Sequence, residues 1–493
     1  MKHLYAFVLL LSLMTAANGE TVQSMHPGRD SVYPDSEAGH TCCPASDVNS
    51  YDLVIVGGNP GGIMAAIAAA QEGKSSVILE RTTCIGGLPA EGSTGMPDNA
   101  VQAYNYRLCM TCDPEKRIPF PKPEKYDRDE YVSLADDVWS GRNTQRAMVN
   151  VTDEMMQKNR GHIAAGNKTS IPGDNWGIWK ISSLVTLPNS KADANNQHAA
   201  FISTDLPEEN WPWPTSSWEW RDKFAERLKN YTLGLLWFAQ NDPSLPEHFR
   251  LAVGQWGLAN DEYTDNGNFP RQVYVREGRR FEGVYFFTAK DALPVSPGMR
   301  PPLHRTSVTA SHYALDSHAA RKREPGRAHL DGFISYPTAV YTVPAGVMLS
   351  HRIDNLLLPV PVSGSHIGFS TLRMEPCWMA LGQAAGILAS LAIDNRTTVR
   401  DVDIDALQEK LVEKKATLIY YKDISPDDRD FPMVQYLGLR GYIPEWEASL
   451  DKPADYESVK QWTGLCGFGP EWTPGKTTRR EILKQIYTFL IND

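Results

Sequence analysis

The sequence predicts an α/β protein. We expect a doubly wound domain assembled from both ends of the chain, an inserted domain built on antiparallel sheet, and a small helical C-terminal tail. Three observations carry this. YDLVIV, from Tyr51, is an unbroken apolar run of the kind that forms a strand buried on both faces of a parallel sheet. GGNPGG interrupts it, the small-residue helix GIMAAIAAAQEG follows, and SVILE is a second buried strand, which together make a βαβ unit. Far downstream, NLLLPVPV leads through SGSHIGFSTLRME into a second small-residue helix, PCWMALGQAAGILASLAI, and is expected to join the same sheet. The predicted boundaries are a leader at 1–19, a polar stretch at 20–49, the doubly wound domain at 50–150 and 311–400, the inserted domain at 151–310, and the helical region at 401–493.

At the N-terminus, Lys2 and His3 precede an apolar run from Leu4 to Met14 and the small, polar TAANGE. A basic start, a short apolar stretch and an A-x-G-like site at Ala17 to Gly19 read as a secretory signal peptide. The run is shorter than the roughly 20 residues a spanning helix needs, and no other stretch reads as a membrane span. The expected location is therefore secreted or the secretory-pathway lumen. In that setting Cys109 and Cys112, in C-x-x-C spacing, are expected to pair as a disulfide rather than to bind metal. Sequons at Asn150, Asn167, Asn230 and Asn395 are possible glycan sites. The formal net charge of −10 argues against a nucleic-acid partner, whose phosphates call for a basic surface.

Between the two ends the texture changes. Met96 to Phe120 reads as loop. NWPWPTSSWEW (Asn210 to Trp220) sets four tryptophans among prolines, which suits a packed loop or a platform for a sugar or aromatic ligand. A helix follows, with Phe224, Leu228, Tyr231, Leu235 and Phe238 at spacings of four and three. QVYVREGRRFEGVYFF (Gln272 to Phe287) reads as one or two strands turning near Gly283. The last helix opens with Thr478 and Glu481 in capping-box spacing.

The chemistry starts at the glycine turn. In G-x-G-x-x-G the first glycine permits a tight turn, the second lets backbone approach a pyrophosphate, and the third lets helix and strand pack closely. Here Gly57 and Gly62 hold the first and third places, and Asn59 the second; asparagine tolerates positive φ, so the turn can survive. The helix N-terminus then offers unpaired N–H groups and its positive dipole end to a diphosphate. Glu80 closes the second strand, 23 positions after Gly57, where an acid accepts hydrogen bonds from a ribose. Arg81 follows, and the paired glycines Gly86 and Gly87 then let an extended cofactor run past the sheet, which favours FAD over NAD. Cys84 offers a covalent flavin link or plain packing. Downstream, Arg373 and a helix N-terminus at Pro376 suit the negative charge that develops on a reduced flavin, and Gly382 permits close backbone approach.

On these stretches the chain resembles the FAD-dependent oxidoreductase family, some members of which are labelled xanthan lyase-like. The resemblance is carried by VIVGGNPGGIMAAIAAAQEGKSSVILE, AYNYRLCMT, LPNSKADANNQ, LLWFAQND, FPRQVYVREGRRFEG, YALDSH and SGSHIGFSTLRMEPCWMALGQAAG, from about residue 51 to 395. It implies a fold like that of the fumarate reductase and glutathione reductase superfamily: a discontinuous FAD-binding domain with an inserted antiparallel-sheet substrate domain. It implies no particular substrate.

For catalysis, Arg276 reads as an arginine that orients a carboxylate or polarises a carbonyl, or as an ion-pair partner of Glu277 or Glu282. His318, with Asp316 two residues away, and His366 are candidates for the base that takes a proton as hydride leaves for the flavin, or for structural or cofactor-contacting roles. The expected activity is oxidation of a small polar molecule, such as a sugar-like polyol or a natural-product intermediate, with oxygen or another acceptor completing the cycle. The rivals are a flavin-dependent lyase or isomerase on carbohydrate, and a non-catalytic flavin-binding protein.

Overall fold

The structure, a computed structural model, describes residues 50–80, 100–143, 151–171, 173–325 and 330–492. The first unit forms as its pattern demands. β1 (Leu53–Val56) leads through the glycine turn into α1 (Pro60–Gln71), and β2 (Ser76–Leu79) returns parallel to β1 with Leu53 opposite Ser76 and Val56 opposite Leu79. Burial on both faces does not follow. Among the described residues this sheet has two strands, α1 covers one face, and Val54, Val56 and Leu79 point outward and are exposed.

The next stretch builds a body of its own. β3 (Leu108–Thr111), β4 (Arg117–Ile118), α2 (Ser133–Ser140), α3 (Asp153–Ala164), β5 (Ser182–Leu187), β6 (Lys191–Asn196), α4 (Trp218–Asn241), α5 (Glu247–Val253) and β7 (Gly257–Ala259) follow in order. The strands make an antiparallel sheet in the order β4-β7-β3-β6-β5. Its core runs from Val101 to Val275, so residues after 100, β3 and β4 among them, pack with this sheet and not with β1 and β2. The stretch read as loop thus holds two strands. Along α4, capped by Ser217, the expected stripe of Phe224, Leu228, Tyr231, Leu235 and Phe238 is buried. Trp213 and Trp220 pack on Phe224, which makes this stretch a packed corner. Cys109 and Cys112 are free thiols. On an extended strand, residues three apart lie about 10 Å from each other and face opposite sides, beyond a disulfide's reach.

From Gln272 to Phe287 the chain crosses back without joining a ladder. Single bridges at Tyr274, Gly283 and Phe287 hold it to Asn105, Ser350 and Gly364. The expected strand pair is therefore an extended crossing. Then come α6 (Ala289–Ala292), β8 (Ser307–Ser311), β9 (Leu315–Ser317), β10 (Ile334–Tyr336) and β11 (Tyr341–Pro344), with β8 paired to β11 and β9 to β10, both antiparallel. NLLLPVPV does not join β1 and β2. It makes one bridge, Leu357 to Leu349, because Pro359 and Pro361 have no N–H to give a ladder.

α7 (His366–Leu372) and α8 (Glu375–Asn395) follow, and then α9 (Ile404–Glu413), α10 (Phe431–Leu439), α11 (Tyr456–Cys466) and α12 (Arg479–Asn492). α8 is long and apolar enough to cross a membrane, a property not read from the sequence, but here it is a core helix largely buried in the protein. It lies along α1. A Cβ at Gly382 would meet the backbone of Gly61, one at Gly386 would meet Ala68 and Ala69, and Asp394 pairs with Lys74. Positions rise together on both helices, so they run parallel and their N-termini share one end. The last helices pack into this same core, from Ala68 to Ile486, rather than standing apart as a tail. Thr478 and Glu481 make the expected capping box, with Glu481 Oε2 2.7 Å from the Thr478 N–H.

Candidate functional site

At the glycine turn, Gly57 has φ of +94°, where a side chain is strained, and a Cβ on Gly62 would collide with the carbonyl oxygen of Gly57. Asn59 differs from expectation. Its φ is −79°, and it is the N-cap of α1, its Oδ1 accepting from Gly62 N–H at 2.9 Å. The turn survives because Asn59 caps the helix and Pro60 occupies its first turn, not because Asn59 adopts positive φ. Glu80 accepts from the Gly58 N–H at 2.7 Å, which holds its carboxylate beside the turn. Arg81, Cys84, Gly86 and Gly87 lie outside the described residues.

The residues present fit FAD. Gly57 to Gly62 form a turn that any Cβ at Gly62 would fill, at the end shared by the N-termini of α1 and α8. Near the start of α7, Arg280 Nε and Nη2 and Ser363 Oγ are buried with no partner among the described residues, polar groups of the kind the carbonyl and nitrogen edges of a flavin engage. Gly382 is a correction: its missing side chain makes room for α1, so it serves the helix contact rather than a cofactor.

The candidate catalytic residues converge. The Arg276 side chain is fully enclosed. Its Nη1 donates to Asp205 at 2.8 Å and to the Ala103 carbonyl, and Nη2 donates to Asn195 at 2.9 Å. Neither Glu277 nor Glu282 is its partner, and it does not project into an open cavity. The other oxygen of Asp205 lies 2.8 Å from His318 Nδ1. His318 Nε2 lies 3.7 Å from Asp316, whose Oδ2 accepts from Arg373 at 2.8 Å and from Tyr313 at 3.1 Å. The result is a chain of alternating groups: Arg276, Asp205, His318, Asp316, Arg373. Burial alone would raise the Asp205 pKa, but Arg276 and His318 outweigh it and hold it low. Asp316 is likewise held well below the usual carboxylate range against its burial, by His318, Arg373 and Tyr313. Arg373 is thus buried on Asp316.

His366 belongs to a second set. Its Nδ1 lies 2.8 Å from Glu277 Oε1 and its Nε2 2.7 Å from Ser317 Oγ. Glu277 also accepts from Arg280 at 2.6 Å and from the Gln102 N–H at 3.1 Å. These contacts override its complete burial and keep it an ionised carboxylate. Asp205 and Gln102 were not singled out from the sequence, and Glu277 was weighed only as a partner of Arg276; no local pattern marks the roles they take. Asp205 and His318, for example, are 113 residues apart.

Beside His318 and Asp205 lies a cavity of about 300 Å³, with Asn196, His198, Ser203, Tyr231 and Phe333 in its wall. His366 is not part of that wall. Among the described residues no cluster of histidine, cysteine and acids is arranged to hold a metal ion.

A strand, glycine turn and capped helix with an acid returning to the turn are the parts a dinucleotide-binding fold uses, and the same chain carries buried histidine–carboxylate–arginine groups. The chain matches the sequence profile described as FAD dependent oxidoreductase over residues 52–99 and 90–411. It belongs to that family and is an FAD-dependent oxidoreductase. Comparison with curated proteins and with solved structures returns no match.

Proposed function

We propose that this enzyme oxidises a small polar organic substrate held in the cavity beside His318, and that it does so after export. The observation that carries the reading is His318 itself, a cavity-wall imidazole whose Nδ1 is held by Asp205 at 2.8 Å with Arg276 locked behind that carboxylate. With the Nδ1–H donated to Asp205, Nε2 is the basic atom. It receives the proton of a substrate hydroxyl as that carbon becomes a carbonyl, and Asp205 and Asp316 face the charge this puts on the ring. FAD held in this enzyme would supply the acceptor for the hydride of that carbon, with oxygen or another acceptor as the final oxidant. Gly57 to Gly62 and Glu80 would hold the adenosine diphosphate half of the cofactor, and Arg280, Ser363 and the start of α8 would serve the flavin half.

The architecture supported by this reading is a discontinuous FAD-binding domain, built from both ends of the chain, with the antiparallel-sheet body inserted as the substrate domain. Export is supported by the leader pattern at 1–19 and by Asn167 and Asn395, which are exposed. An anaerobic screen of metabolites for bleaching of the bound flavin tests the activity. Bleaching by a hydroxyl-bearing compound that is lost in His318→Gln is the expected result. No bleaching by any compound, together with cleavage or isomerisation of a carbohydrate, would favour the lyase alternative.

A further inference from the structure

We propose that the cavity beside His318 selects an uncharged, hydroxyl-bearing substrate and rejects carboxylates, an inference that rests on the cavity being the substrate site. Its cations are already committed. Lys322 Nζ lies 2.7 Å from Glu209 and Arg323 Nη1 lies 2.9 Å from Asp137. Its acids are committed too: Glu130 to Arg227, and Asp205 to Arg276 and His318. His198 lies nearly parallel to Phe333, ring centroids 5.8 Å apart, and burial lowers its pKa, which disfavours its charged form. Arg276, the residue best suited by chemistry to fork a carboxylate, is closed off behind Asp205.

An entering carboxylate would therefore lose its hydration with no uncommitted cation in the described wall to replace it. A hydroxyl both donates and accepts, so it can answer the mixed polar groups of Asn196, His198 and Ser203 without bringing charge. The rings of Phe201, Tyr231 and Phe333 supply surface for the C–H side of such a molecule.

The test uses the FAD-loaded enzyme under anaerobic conditions and compounds matched in skeleton: glucose with glucuronate, galactose with galacturonate, glycerol with glycerate. Calorimetry reads binding and flavin absorbance reads reduction. Within the pairs, the neutral member is expected to bind at least about tenfold more tightly. Equal or tighter binding of the acids, or no binding by any neutral member, overturns the inference. Glu209→Gln, which loosens the hold on Lys322 and on Arg227, should tighten the acids by about fivefold and leave the neutral compounds unchanged. Unchanged acid binding in that variant counts against the charge argument. Ile202 is also in the cavity wall, and Ile202→Trp, which puts a bulkier side chain there, separates the two levels of failure. If flavin reduction survives it intact, the cavity is not the substrate site and the inference falls with that placement. If reduction is lost but acids bind best, only the charge argument falls.

Discussion

Adding one methyl group to Gly382 tests the helix contact that brings the two ends of the chain together. In the interior of an exposed helix, alanine is favoured over glycine by about 1 kcal/mol. At Gly382 a Cβ would lie 2.8 Å from the carbonyl carbon of Gly61 and 3.0 Å from its Cα, and closer still to its carbonyl oxygen. These are backbone atoms of α1 and cannot swing aside as a side-chain tip would, so α1 and α8 must separate. Overpacking of this kind costs about 1–3 kcal/mol, which cancels or exceeds the gain in helix propensity. Gly382→Ala should therefore lower stability, by up to about 2 kcal/mol, and weaken FAD retention because the shared N-terminal end is disturbed. Gly161, in α3, is the control: a Cβ there meets nothing within 4 Å, so Gly161→Ala should stabilise the protein by about 0.5–1 kcal/mol. Urea unfolding with flavin released by denaturation reads both. A Gly382→Ala protein stabilised by about 1 kcal/mol, as helix propensity alone predicts, and fully loaded with FAD would refute the contact.

Other outcomes follow from the same geometry. His318→Gln should slow flavin reduction by about 10²- to 10⁴-fold while FAD content stays constant; an unchanged rate in stopped flow would remove His318 from the chemistry. Asp137 makes an ion pair with Arg323, yet its burial is the larger effect and raises its pKa to about 6. An acid that binds its proton more tightly when folded adds stability as pH falls, fully present below about 4 and lost as pH rises through about 6. The parent should therefore gain on Asp137→Asn between pH 7 and pH 4, by on the order of 2–3 kcal/mol; a difference that stays flat with pH would count against the assignment. In a glycosylating host, glycan should be found at Asn167 or Asn395 and not at Asn230, which is buried with its amide bonded to Glu226. Peptide mapping that found Asn230 occupied would mean α4 is not packed as described.

The parts legible from sequence were those set by local spacing. The turn and α1 follow from glycine, proline and small residues at fixed offsets, and the α4 stripe from its period. Where reading by template failed, a local signal had been passed over. Alignment with G-x-G-x-x-G cast Asn59 as a stand-in for glycine, while Asn-Pro before an apolar helix is itself an N-cap followed by a favoured first-turn proline. NLLLPVPV misled in the opposite direction, since its apolar run suggested a strand but its prolines deny the donors a central strand needs. The reading of Arg276 failed for a different reason. Its nearest acids in sequence, Glu277 and Glu282, were the natural partners to weigh, and the true one, Asp205, is 71 residues away.

The alternation of an extended chain explains why Arg276, His318 and His366, candidates found separately, fall into two sets. Asp316 and His318 share one face of the segment that includes β9, and Ser317 takes the other. Arg276 and Glu277 likewise point apart. The two segments lie between two bridging residues: Asp205 joins Arg276 to His318 on one side, and His366 joins Glu277 to Ser317 on the other. Gln102 ties them a third time, its N–H donating to Glu277 and its Oε1 accepting from the His318 N–H. A slip of one residue in either segment would carry every one of these groups to the wrong face. The crossing at 275–282 makes no strand ladder, so the buried ion pairs share with the flanking bridges at Tyr274 and Gly283 the task of fixing its register. That gives Glu277 and His366 a positioning role even if only His318 meets the substrate. Replacing either should move His318 as well as its own partners.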